Sequence, residues 1–307
     1  MQLRGVFAAA TTPFDPATWA VDVAGFRRNA EFLLDTRLAG LVLFGSTGEG
    51  VLVAAEERGE LLAAAREMLG DRLMLVGTGA ESTRGTVRLC RDAAHAGADA
   101  ALVHPPGYFR SLMQPAALLE HYTRVADESP IPVVLYQVPV PFRSVDLDVP
   151  LIVRLSEHAN IVGVKDSTGD PAPLRELRHA CGEDFAVIVG TAALLQEALD
   201  AGASAGILAL AAIAPRECTE IYRLWQLGER EEASRVQAVA AQRHRAIVAK
   251  FSVPGVKAAL DHLGLVGGRP RAPLQALGSN DRAEVARALA DHGGSPVPRG
   301  ASTDADA

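Results

Sequence analysis

The sequence predicts a (β/α)8 barrel with a C-terminal helical extension. Eight short apolar runs alternate with amphipathic helical stretches across about 220 residues, the size of such a barrel. One of these runs, Ile161-Val162-Gly163-Val164, is apolar and β-branched, the pattern of a parallel strand buried on both faces. A doubly wound open sheet shares the alternation, but the first βα turn, Thr11-Thr12-Pro13-Phe14, lacks the glycine-rich dinucleotide fingerprint.

In chain order, strands are expected over 6–10, 40–44, 73–77, 100–103, 133–136, 161–165, 186–189 and 205–208. All are too short for ordinary helices. Helical patterns fill the gaps at 23–35, 54–69, 83–96, 115–126, 150–157, 171–180 and 193–201. Start signals agree: Ser82-Thr83 precedes Val87, and Asp170-Pro171 precedes Leu174. From Pro215 to about residue 290 the pattern is helical throughout, an eighth barrel helix followed by an appended bundle. The expected organisation is a catalytic barrel over 1–225, a helical extension over 226–292, and a small, polar, disordered tail over 293–307.

Composition excludes several functions. A net charge of −7 argues against a nucleic-acid surface, and Arg243-His244-Arg245 reads as a solvated helix face. No apolar stretch approaches the roughly 20 residues that span a bilayer, and the first residues lack a secretory pattern, so no membrane association and a cytoplasmic location are expected. Cys90, Cys181 and Cys218 are odd in number and far apart, which disfavours disulfide and zinc frameworks. The eight histidines are scattered rather than grouped with carboxylates, so no metal is expected; His104, near a strand end, reads as a hydrogen-bonded rim residue.

Lysine is scarce: of 30 Lys and Arg residues, only Lys165, Lys250 and Lys257 are lysines. Lys165 ends the apolar run Ile161-Val162-Gly163-Val164, where an ammonium is costly unless it is paired or deprotonated. A neutral amine there can attack a carbonyl and form a Schiff base. The bland alternative is a strand-end lysine whose head reaches water or pairs with Asp166. Lys250 borders an Arg-rich helical stretch, and Lys257, after Pro254-Gly255, is expected to be a solvated helix residue.

In a barrel, the C-terminal strand ends and their loops build the active site. After the second run comes Gly45-Ser46-Thr47-Gly48-Glu49-Gly50, hydroxyls among glycines that let backbone amides approach a small anion. It is not a phosphate loop, because the Gly-Lys-Ser/Thr ending is missing. After the fifth run, Tyr136-Gln137-Val138-Pro139 brings a phenol to the same mouth as Lys165. An amine nucleophile needs such a proton-transfer partner and a nest for a carboxylate.

Together these segments resemble the class I pyruvate-dependent aldolases that include dihydrodipicolinate synthase and N-acetylneuraminate lyase. The resemblance runs from about Gly5 to Leu277 and rests on the Gly45–Glu49 loop, the Tyr136–Pro139 turn, Gly163-Val164-Lys165-Asp166-Ser167-Thr168-Gly169, Gly190 and Gly206-Ile207-Leu208. It implies that Lys165 is the Schiff-base lysine and that Tyr136, with Thr47, shuttles protons. It also implies that Ser46, Thr47 and Gly48 hold a keto-acid carboxylate, and that Ser167, Gly190 and Leu208 line the pocket. No cofactor is implied, and members usually form homotetramers.

Within the family, synthases resemble one another in two tyrosines after the fourth strand and an arginine soon after the Tyr-x-x-Pro turn. Here that loop reads Pro105-Pro106-Gly107-Tyr108-Phe109-Arg110, which aligns Phe109 with the relay tyrosine, and the turn Val140-Pro141-Phe142-Arg143-Ser144 is lengthened. Arg110 and Arg143 are candidates for a second carboxylate. Residues 160–167, 254–257 and 271–275 look more like 4-hydroxy-2-oxoglutarate aldolase. The expected reaction is retro-aldol cleavage of a 4-hydroxy-2-keto acid to pyruvate and an aldehyde. Alternatives are 4-hydroxy-tetrahydrodipicolinate synthesis, a 2-keto-3-deoxy sugar-acid aldolase or dehydratase, and a non-catalytic keto-acid-binding regulator, which would need no neutral amine.

Overall fold

The computed structural model of the protein describes residues 1–139, 142 and 145–290. Strand and helix alternate as β1 (Gly5–Ala9), α1 (Val23–Leu34), β2 (Gly40–Leu43), α2 (Gly59–Leu69), β3 (Leu73–Gly77), α3 (Thr83–His95), β4 (Ala100–Val103) and α4 (Pro115–Glu128). The second half continues with β5 (Val133–Gln137), α5 (Val149–Ser156), β6 (Ile161–Asp166), α6 (Ala172–Ala180), β7 (Ala186–Val189), α7 (Leu195–Asp200), β8 (Ala205–Leu208) and α8 (Pro215–Gln226). The strands form a closed parallel barrel in sequence order, with β8 pairing back on β1. Strand positions follow the apolar runs to within a residue at either end. The helix expected over 54–69 instead divides into a 3-10 turn, Ala55–Glu57, and α2.

Local chemistry fixes several helix starts. Asp22 accepts from the Gly25 amide at 2.8 Å, Ser82 from Gly85 at 3.1 Å and Asp148 from Leu151 at 3.0 Å, satisfying amides that a helix N-terminus leaves open. The barrel carries two apolar cores. Phe7, Ala9, Val42, Leu75, Leu102, Val134, Ile188 and Ile207 fill the interior, while the alternate strand residues pack outward against the helices.

The β5–β6 ladder is irregular at one point. Val133 pairs with Ile161 but Val134 pairs with Gly163, so β6 carries one residue more than its partner. Beyond this bulge Lys165 stands opposite Tyr136 and Ile188, both interior residues.

The chain continues as α9 (Arg230–Arg243), a π-helical segment His244–Ala249, α10 (Lys250–His262) and α11 (Ser279–Ala290). Ser252 adopts φ 53°, ψ −141° just before Pro254, and α10 is kinked there. No helix among the described residues is long and apolar enough to cross a membrane. The three cysteines are free and buried.

Two expectations fail here. Arg243 is not on a solvated face: it is 2% exposed, pairs with Glu217 and donates to the Leu289 carbonyl at 3.1 Å, clamping α9 to α8 and α11. Lys257 is not solvated either, being fully buried on α10 against the loops after β1 and β2. The tail expected over 293–307 lies outside the described residues.

Candidate active site

Lys165 is 5% exposed at the C-terminal end of β6. Its Nζ sits 4.2 Å from the centroid of the Tyr136 ring, a cation–π distance. Among the described residues no carboxylate lies within ion-pair distance of Nζ, and Asp166 instead points to the other side of the strand, where it accepts from the Thr168 amide and hydroxyl at 2.7 and 2.6 Å. The pairing of Lys165 with Asp166 considered from sequence is therefore not formed.

The Tyr136 hydroxyl lies 3.1 Å from Ser46 Oγ. Ser46, Tyr136 and Lys165, which come from loops and strands about 90 and 30 residues apart in the chain, thus form one contiguous polar line at the barrel mouth. Thr47 is half-buried in the same loop, and its hydroxyl makes no hydrogen bond among the described residues.

In the loop after β2 the carbonyls of Gly45, Ser46, Gly48 and Gly50 are occupied, while three successive amides are open. Ser46 O accepts from the Glu49 amide at 3.1 Å, Gly45 O from Gly50 at 3.1 Å, Gly48 O from Thr12 Oγ1 at 2.6 Å, and Gly50 O from Arg58 at 2.6 Å. The amides of Ser46, Thr47 and Gly48 have no acceptor among the described residues. Successive open amides of this kind form a concavity suited to a carboxylate. Gly50 is required by close packing, because a Cβ there would fall 1.9 Å from the Phe44 carbonyl oxygen.

Across the mouth, Gly190 donates to the Asp166 carbonyl at 2.6 Å, and a Cβ on it would lie 1.7 Å from Ser167 Oγ. Ser167 is 8% exposed, and its hydroxyl has no hydrogen-bond partner among the described residues. Leu208 packs in the outer core while Ile207 faces the interior, so Leu208 can meet a bound molecule only through its backbone. Arg110 lies on an exposed turn after β4 and makes no side-chain hydrogen bond or ion pair among the described residues. Arg143 and most of the lengthened 140–144 turn lie outside the described residues. His104 hydrogen-bonds the Pro105 carbonyl at 2.9 Å, as a rim residue should, although its Nε2 is buried without a partner.

Sequence reasoning missed the residues behind the loop. Lys257 Nζ donates to the carbonyls of Thr12 and Arg269 at 2.8 and 3.1 Å and stands 2.7 Å from Glu49 Oε1, which accepts no aligned hydrogen bond. Burial pushes the Lys257 ammonium below its ordinary value, opposed by the Glu49 carboxylate. Glu49 itself is 2% exposed in the left-handed region, with its other oxygen accepting from the Arg271 amide at 2.7 Å. The available signal was a lysine inside the apolar stretch Val256-Lys257-Ala258-Ala259-Leu260.

Comparison with known proteins bears on the family of the chain. The chain matches the Dihydrodipicolinate synthetase family over residues 2–292. It is 38% identical to a probable mitochondrial 4-hydroxy-2-oxoglutarate aldolase of Emericella nidulans, over 88% of this chain and 89% of that one. It is 34% identical to an L-threo-3-deoxy-hexylosonate aldolase of Hypocrea jecorina, over 89% and 90%. Among solved structures it superposes on a dihydrodipicolinate synthase from Bacillus anthracis with a TM-score of 0.88 at 29% identity, covering 94% and 98% of the two chains. The Acinetobacter baumannii synthase complexed with pyruvate gives 0.89 at 30% identity, covering 94% and 99%. The barrel, the polar line at its mouth and these likenesses agree: the chain belongs to the dihydrodipicolinate synthetase family, as a carbon–carbon lyase of class I aldolase type.

Proposed function

We propose that the protein cleaves a 4-hydroxy-2-keto acid, of the 4-hydroxy-2-oxoglutarate kind, to pyruvate and an aldehyde through an imine on Lys165. The neutral amine attacks the C2 carbonyl and water leaves, giving an imine whose protonated form is an electron sink. Loss of the C4 hydroxyl proton then breaks the C3–C4 bond, releasing the aldehyde and leaving an enamine. Protonation at C3 and hydrolysis return pyruvate and the free lysine. The imine supplies the electron sink, so the cycle needs no other cofactor.

The observation that carries this reading is the line from Ser46 Oγ through the Tyr136 hydroxyl to Lys165. Tyr136 moves the protons of imine formation and cleavage, with Thr47 at hand in the same loop. Ser46, Thr47 and Gly48 hold the substrate carboxylate with open amides. Ser167 favours a hydroxylated substrate, because its buried hydroxyl, just past β6 and beside Gly190, has no partner among the described residues. Gly190 leaves room for that hydroxyl, and Arg110 and Arg143 are proposed to meet a second carboxylate.

A 2-keto-3-deoxy sugar-acid aldolase is the second reading, favoured by the Hypocrea relative's name and by the same free hydroxyl. Phe109 counts against a synthase, since phenylalanine passes on no proton. The proposal includes a homotetramer, supported by large exposed apolar side chains after β4 and β5: Tyr108 is 81% exposed, Phe109 64% and Phe142 55%. It also includes a cytoplasmic location, set against a fungal relative named as mitochondrial. Fractionation and light scattering test these two points.

The function itself is tested by mass spectrometry after incubation with pyruvate and borohydride. A pyruvate adduct lost in Lys165→Ala is expected, followed by cleavage of 4-hydroxy-2-oxoglutarate in preference to condensation with aspartate semialdehyde. A wild-type protein that forms no adduct overturns the imine and favours the keto-acid-binding regulator.

A further inference from the structure

We infer that Lys257 and Glu49 are positioning residues that set the open amides of the Ser46–Gly48 loop from beneath, so that the C-terminal extension governs recognition of the substrate carboxylate. The inference rests on the carboxylate role proposed above for that loop.

The contacts close a ring. Lys257, on α10, holds the Thr12 carbonyl; the Thr12 hydroxyl holds the Gly48 carbonyl; Glu49, the next residue, returns to the Lys257 ammonium. The Gly48 carbonyl is thereby fixed against Thr12 and the Glu49 amide against the Ser46 carbonyl, while the amides of Ser46, Thr47 and Gly48 have no acceptor among the described residues. Both charged members are buried, and Glu49 stands in a left-handed conformation that a residue other than glycine adopts only at some cost. A strained turn persists where its surroundings over-determine it, and here the surroundings are a charge pair and the Arg271 amide.

A second arm reinforces the first. Arg271 lies 4.2 Å over the Phe14 ring, Lys257 lies 4.4 Å from the same centroid, and Arg271 also pairs with Glu57 at 2.6 Å. The loops after β1 and β2 are thus tied to the segment after α10 and not only to their own strands. Among the described residues no side chain of this ring is hydrogen-bonded to Ser46, Tyr136 or Lys165; the Glu49 amide meets the Ser46 carbonyl at 3.1 Å, so the ring's influence on chemistry runs through the loop backbone.

The test is borohydride trapping with Glu49→Gln and with Lys257→Met, using pyruvate and, separately, acetone, which offers the same ketone without a carboxylate. Glu49→Gln keeps side-chain size and an acceptor for the Arg271 amide, so it decides the matter if Lys257→Met fails to fold. The expected result is a rise in half-saturating pyruvate of about 10- to 100-fold, the loss of one charge-assisted hydrogen bond, with acetone trapping changed by less than about threefold. Lys257→Arg should restore part of the pyruvate affinity. Parallel decline with both ketones, or an unchanged half-saturation in a folded variant, overturns the inference. Absence of any adduct in the wild type would instead sink the imine reading on which it rests.

Discussion

Tyr136→Phe separates proton transfer from packing. The ring is kept, and with it the surface over which Lys165 Nζ lies at 4.2 Å; what is lost is the hydroxyl 3.1 Å from Ser46 Oγ. A single hydrogen bond contributes about 1 kcal/mol net. With an unfolding entropy of about 2.1 cal/mol/K per residue, that corresponds to a drop in Tm of about 2 °C for a domain of this length. A positioned general acid–base contributes about 10²- to 10⁴-fold, or roughly 3 to 5 kcal/mol of barrier. The variant should therefore be nearly as stable as the wild type and 10²- to 10⁴-fold slower in pyruvate release. It should still give a borohydride adduct on prolonged incubation, unlike Lys165→Ala. Thermal unfolding and single-turnover pyruvate release measure the two quantities together. Turnover within about tenfold of the wild type would refute the assignment of the proton shuttle to this phenol.

Three further outcomes follow from buried polar groups. Ser167→Ala removes a hydroxyl without a protein partner, so stability should hold or rise while kcat/KM on the 4-hydroxy substrate falls about 10- to 100-fold and pyruvate trapping stays constant; an equal loss in both assays would place Ser167 elsewhere in the cycle. Lys257→Met strands the Glu49 carboxylate in the interior, which costs about 3–5 kcal/mol and should lower Tm by about 5–8 °C, whereas a shift under about 1 °C contradicts the burial argument. Burial, helped by His104, lowers the His121 pKa to about 4, and burial with Arg245 does the same for His244. Because both folded values lie below the unfolded value of about 6.5, this stability is fully present above pH ~6.5 and is lost as pH falls toward 4, at up to about 3 kcal/mol for His121. Urea titrations at pH 7 and pH 4.5 measure it, and His121→Gln should flatten the difference; an unaltered slope would count against it.

The barrel was legible because its strands are continuous apolar runs and its helices carry start signals that need no tertiary knowledge. Lys165 stood out for the same reason, being a charge at the end of such a run. Lys257 did not stand out, since a helix surrounded on all sides and a helix with one wet face both contain apolar neighbours, and only the packing of α10 over the loops distinguishes them. Arg243 was misjudged on the same ground. The side of the barrel wall on which Lys165 stands was also beyond counting. Strict alternation from Ile161 would have placed it outward, and the bulge after Ile161 turns it inward. The loop carbonyls take donors from the Thr12 hydroxyl and the Arg58 guanidinium, side chains outside the Ser46–Gly48 segment that only tertiary packing brings to it.

That extra residue in β6 is also slack. A deletion of Val162 would let the ladder run regularly, with Gly163 still across from Val134 and the lysine still across from Tyr136. The strand can therefore lose one residue without moving the amine, while gaining one would exhaust the accommodation already in use. Length variation near the base of this strand should be asymmetric, with shortening kept and lengthening rejected, even though both lie several residues from any reacting atom.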